Sequence, residues 1–137
     1  MPIYVTFYHL DETMVGKTEG EVTLADLMNY LDDVEKAKAV GYAKIFDCSA
    51  GQTNLMPVER EALRQRLATY HAKYGKQAGP FAVVAGPDVI QRLGALDGLV
   101  RNADSRPVEV FKDIHAARKW LEEQAENNRR TRSRRRG

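Results

Sequence analysis

Cysteine is almost absent: Cys48 stands alone in 137 residues, so no internal disulfide can brace the chain. A single thiol fits a reducing, cytoplasmic setting, and stability must then come from a packed core, for which the length suffices. Long hydrophobic runs are missing too. The longest, Phe81 to Gly86, falls far short of the ~20 apolar residues that a membrane-spanning helix needs. Met1-Pro2-Ile3-Tyr4 leads straight into strand-like sequence with no basic-then-apolar leader, so no signal peptide is expected. His9, His71 and His115 lack paired-ligand spacing, so no metal site is expected. What remains is ordinary for one globular domain: 43% hydrophobic and 29% charged residues.

The charge is unevenly placed. Residues 129–137 hold six of the 21 Lys and Arg and none of the 19 acids. The rest of the chain carries 15 bases against 19 acids, a net of −4. An acidic domain over residues 1–126 is thus followed by a basic segment, 127–137, without an apolar residue to pack. Disorder is expected there. Arg129, Arg130, Arg132, Arg134, Arg135 and Arg136 suit weak, sequence-blind contacts to nucleic acid or another anionic surface.

Apolar periodicity orders the domain. Ile3 to Tyr8 alternate as a strand, and Met14 to Glu21 as a more polar one with Lys17, Glu19 and Glu21 outward. The short link between them implies an antiparallel hairpin. Thr23 with Asp26 starts a helix whose Leu24, Leu27, Met28, Leu31 and Val34 share a face, with Gly41 as its stop. Lys44 to Cys48 is a third strand, followed by a polar loop from Ser49 to Met56. Pro57 opens a helix with Leu63, Leu67, Tyr70 and Tyr74 inward, ended by Gly75. Phe81 to Ala85 reads as a buried central strand. A third helix is expected from Pro87-Asp88 to about Asn102, a fifth strand over Pro107 to Phe111, and a last helix capped by Asp113. The order ββαβαβαβα predicts an α/β fold: a mixed sheet of about five strands and four helices.

The Thr-capped helix after a hairpin, then Lys44-Ile45-Phe46-Asp47, then Leu55-Met56-Pro57-Val58-Glu59, resembles the STAS-like family related to bacterial anti-sigma-factor antagonists (SpoIIAA-like). Val110-Phe111-x-Asp113-x-x-Ala116-Ala117-x-x-Trp120-Leu121 is the most telling stretch, and the likeness spans residues 1–124. It implies a small α/β fold without a cofactor that binds a protein or an apolar ligand. It also implies a regulatory rather than catalytic role. The antagonists carry a phosphorylated Ser within Asp-Ser-Ser-Gly after the third strand. Here the stretch reads Asp47-Cys48-Ser49-Ala50-Gly51-Gln52-Thr53-Asn54, so the motif is not matched residue by residue.

The leading expectation is therefore a non-catalytic module docking an unidentified protein through the loop after the third strand. Asp47, Ser49, Gly51, Thr53 and Asn54 are its candidate contacts. The loop leaves the carboxyl end of a strand, where open α/β sheets commonly bind ligands, although the same residues are also plain turn formers. The alternative is a carrier of a small apolar molecule, gated by Ile90, Leu93 and Leu96 on the helix near 88–102. Gly94 and Gly98 on that helix also suit close approach by a second copy. Enzymatic readings find little support. Asn54 stands where a Cys48 phosphatase loop requires Arg. The opening hairpin is wrong for a receiver built on Asp47 and Lys112. Gly16-Lys17-Thr18 lacks the earlier glycine of a nucleotide-binding loop, where Asp11 stands instead.

Overall fold

A computed structural model describes residues 3–86 and 108–136. β1 (Ile3–Tyr8) and β2 (Thr13–Val22) form the expected antiparallel hairpin. Then follow α1 (Leu24–Lys36), β3 (Ala43–Thr53), α2 (Pro57–Tyr74), β4 (Phe81–Val84), β5 (Val108–Phe111) and α3 (Ile114–Arg136). The sheet order is β1-β2-β3-β4-β5, and every pair after the hairpin is parallel. Three α-helices lie among the described residues. The fourth expected helix, near 88–102, lies outside them together with Ile90, Leu93 and Leu96.

Neighbouring parallel strands are joined by right-handed crossovers, and successive steps in one direction bring their helices onto one face. α1 and α2 follow that rule. Tyr30, Leu31, Val34 and Tyr70 meet Met14, Phe46 and Phe81 in one core cluster. The opposite face needs its own cover, and α3 supplies it. Ala117 and Leu121 pack on Ile45, Ala82 and Val84, with Trp120 tilted against Phe111 at 5.7 Å between ring centres. β4 is buried from both sides, which is why its sequence is apolar throughout.

Helix ends are set by local chemistry. The Thr23 hydroxyl accepts the Asp26 N–H at 3.2 Å, and the Asp26 carboxylate accepts the Thr23 N–H at 2.8 Å. Pro57 is the first residue of α2, and the Glu59 carboxylate accepts the Met56 N–H at 3.0 Å. Asp113 accepts the Ala116 N–H at 2.9 Å and so caps α3. The stop of α1 differs from expectation. Lys38, not Gly41, takes the left-handed conformation (φ 56°). Its N–H reaches Glu35 O at 3.1 Å and the Ala39 N–H reaches Val34 O at 3.0 Å, a Schellman closure. Buried Val34 and Ala39 seal the motif and hold a lysine where glycine is usual.

α3 runs on through the start of the basic segment to Arg136. Extending a helix already anchored by Ala117 and Leu121 avoids the nucleation cost, and arginine is a good helix former. Glu126 adds ion pairs one turn on, to Arg129 at 3.5 Å and Arg130 at 3.6 Å.

Two further contacts tie the layers together. Gly79 donates to Val40 O at 2.9 Å where two backbone segments cross. A Cβ at this position would lie 2.2 Å from Tyr42 O and 2.6 Å from Gly41 O. Between α1 and α2, Glu35 accepts the Tyr74 hydroxyl at 2.7 Å and pairs with Arg66, which also reaches Asp32 at 3.1 Å. The Tyr74 hydrogen bond, helped by Arg66, holds the Glu35 carboxyl below the usual 4.5.

Gly79→Ala is expected to cost about 3 kcal/mol in urea unfolding, because backbone oxygens cannot rotate away. A loss below about 1 kcal/mol would show that the crossing relaxes. Glu35→Gln is expected to cost about 1 kcal/mol at neutral pH, discounted for partial exposure. A depressed carboxyl stabilises the fold above its unfolded pKa and stops doing so as pH falls through the folded value. The gap between wild type and variant should therefore close below about pH 4.5, and a gap that persists at lower pH would contradict the assignment.

Candidate functional site

β3 does not stop at Cys48. It runs to Thr53 and keeps pairing with β2, with Ala50, Gly51, Gln52 and Thr53 opposite Glu19, Gly20, Glu21 and Val22. Most of the expected polar loop is therefore strand, and only residues 54–56 connect it to α2. β1 pairs no further along β2 than Thr18, and β4 no further along β3 than Asp47. Among the described residues, Glu19–Val22 and Ala50–Thr53 thus form a two-stranded ribbon projecting beyond both neighbouring strands.

At the root of the ribbon the register slips. Lys17 faces Asp47 but Glu19 faces Ala50, so Cys48 and Ser49 together oppose Thr18. This is a β-bulge, a device that reorients side chains and recurs beside functional sites. Three contacts hold it. The Thr18 hydroxyl donates to Asp47 O at 3.0 Å, and the Asp47 carboxylate accepts the Ser49 N–H at 2.9 Å. Gly51 supplies the third, since a Cβ there would lie 2.2 Å from Thr18 Oγ1. Only glycine lets the strands close up beyond the bulge.

The five predicted contacts thus separate by role. Asp47 is buried and serves the bulge, and Gly51 permits strand approach. Thr53 is half-buried and pairs with Val22. Ser49 and Asn54 are exposed. Sequence reasoning missed the companions that complete this surface. Glu19 and Glu21 line the neighbouring strand, exposed. Met56 and Val58 stand 64% and 72% exposed at the start of α2. Their signal was legible: two apolar residues flank a helix-starting proline, outside the periodic stripe that begins at Leu63.

Cys48 lies in the bulge with its thiol pushed up to about 12, by burial first and then by the neighbouring Asp47 charge. Such a thiol is protonated at neutral pH and is a poor nucleophile. Lys44 is buried at the other end of β3, donating to Val40 O at 2.6 Å and Tyr42 O at 2.8 Å, where it braces the α1–β3 turn. Among the described residues, no three His, Cys, Asp or Glu side chains gather as for a metal ion. No described helix is long and apolar enough to cross a membrane.

An open groove of about 690 Å³ lies between α3 and the bare half of the sheet. Val15, Ile45 and Leu121 form its floor, and Glu12, Arg118 and Arg129 its rim. It borders Gly41, Ala43 and Pro80, at the amino ends of the parallel strands. That is the opposite end from the ribbon, and ligands of open α/β sheets favour the carboxyl ends.

No family model and no curated protein matches the chain. Solved structures do. An uncharacterised protein of the DUF3478 family with a SpoIIAA-like fold, from Shewanella loihica PV-4, superposes with a TM-score of 0.57 at 17% identity. The match covers 87% of this chain and 91% of that one. An anti-sigma factor antagonist from Mycobacterium paratuberculosis gives 0.56 at 21% identity, over 88% and 94% of the two chains. The fold is therefore SpoIIAA-like, of the STAS type that the sequence resembles. At these identities the likeness carries architecture alone.

Alkylation of Cys48 by iodoacetamide near pH 8 is expected to run roughly a thousandfold slower than for the unfolded chain, following the loss of thiolate. Equal rates in folded and unfolded protein would refute the suppressed thiol.

Proposed function

We propose that the chain is a non-catalytic regulatory module that docks a protein partner on the projecting ribbon and the start of α2. The observation that carries this reading is apolar surface where folding alone gives no reason for it. Met56 and Val58 stand exposed beside a polar, two-stranded tip. Apolar residues rimmed by polar ones are the usual make-up of a contact surface. Ser49, Gln52 and Asn54 offer hydrogen-bonding groups around it. The fold shared with an anti-sigma factor antagonist supports a regulatory role of this kind. The protonated Cys48 thiol argues against nucleophilic catalysis at the same place.

A phosphate on Ser49 would add nearly two negative charges beside a strand already carrying Glu19 and Glu21. Repulsion would then disfavour an acidic partner and release it.

Affinity capture from native lysate should compare the wild type with a Met56→Glu/Val58→Glu double variant and with Ser49→Asp. A protein retained by the wild type and reduced at least about tenfold by the double variant is expected, the scale of losing a hot-spot contact. Ser49→Asp should weaken capture in the same direction. Thermal unfolding should stay unchanged, since Met56 and Val58 pack little. Identical protein sets from wild type and double variant would remove this surface from consideration.

A further inference from the structure

The strongest unassigned feature is the far half of α3. The helix spans 23 residues, about 34 Å at ~1.5 Å per residue. Among its described side chains the last buried one is Leu121, and Glu126, Asn127, Arg129 and Arg130 are exposed. The helical backbone nevertheless continues to Arg136, carrying six arginines within eight residues. We infer that this arm is a docking helix for double-helical DNA, entering the major groove and neutralising phosphates with little regard to sequence.

Three observations select that partner among anions. The first is the distribution of charge around the helix. At about 100° per residue, positions 129, 130, 132, 134, 135 and 136 fall around the whole circumference instead of on one side. A flat anionic surface meets one side of a helix, whereas a groove presents phosphates on both walls. The second is composition. Residues 127–137 contain no apolar or aromatic residue, so the arm lacks both an apolar face to seat among lipid chains and the aromatic platforms on which single strands stack. The third is shape. The B-form major groove, ~12 Å wide, admits a helix, whereas that of A-form RNA is too narrow to be read this way.

The rest of the molecule is consistent with one-point attachment. Outside the arm the net charge is −4, so the domain body is repelled by a polyanion and the arm alone is drawn in. With four to six phosphates neutralised, the logarithm of affinity should fall with that of salt concentration at a slope of about −4 to −5.

The test is fluorescence anisotropy of the full chain with a labelled, arbitrary-sequence DNA duplex, from about 50 to 200 mM salt. Duplex RNA, single-stranded DNA and phosphatidylserine vesicles are the comparison probes. Expected are tighter binding to duplex DNA than to any of these, the stated slope, and little change with duplex sequence. Replacing all six arginines by glutamine keeps helix propensity and should lower affinity at low salt roughly a hundredfold. Arg132→Pro breaks the arm while retaining five arginines, and should bind more weakly than Arg132→Gln. No binding at the lowest salt, retention by the six-glutamine variant, or a preference for vesicles, single strands or RNA would each overturn the inference. Equal binding by Arg132→Pro and Arg132→Gln would overturn docking as a helix.

Discussion

Parallel pairing of β2, β3, β4 and β5 in chain order is the constraint from which the rest of the architecture follows. Each step moves the chain one strand in the same direction. Right-handed crossovers then commit α1 and α2 to a single face, where Tyr30, Val34 and Tyr70 close the core. The other face would stay open to water without α3, whose Ala117 and Leu121 cover β3 and β4. That cover stops short of the hairpin. Tyr4 and Tyr8 remain about half exposed, and the open groove lies along this boundary.

The same pairing makes the site. Among the described residues, β2 and β3 outrun their neighbours and continue paired with each other. The extra residue in β3 would break the ladder if its groups were left unpaired. Thr18 and Asp47 prevent that through side-chain hydrogen bonds at the bulge, and Gly51 removes the Cβ that would otherwise wedge the strands apart. The stretch that most resembles a signalling loop in sequence is thus held as paired strand.

Much of the fold was legible because its signals are local. Alternation from Ile3 to Tyr8 announced β1, and Thr23, Pro57 and Asp113 marked helix starts that the hydrogen bonds bear out. The misreadings arose where distant partners override local preference. Ser49-Ala50-Gly51-Gln52-Thr53 has the composition of a turn, and only pairing with β2 makes it strand. Lys38 takes the conformation expected of glycine because Val34 and Ala39 lock the closure around it. Along the arginine-rich segment, which has no apolar stripe, the helix simply continues the anchored turns before it. Of the candidate residues, Asp47 and Gly51 hold the bulge, a role set by the facing Thr18 and not readable from their own stretch, and Met56 and Val58 are the exposed apolar residues beside it.

The direction of α3 has a geometric consequence. It leaves β5 at the carboxyl end of the strands and returns past Gly41, Ala43 and Pro80, so the arginines emerge at the amino end. β3 alone, at 11 residues and ~3.3 Å each, sets the two poles about 36 Å apart. If both proposed contacts form, a molecule seated on the ribbon would neither shield the arm nor compete for it, and the sheet would act as a spacer between two unlike bodies.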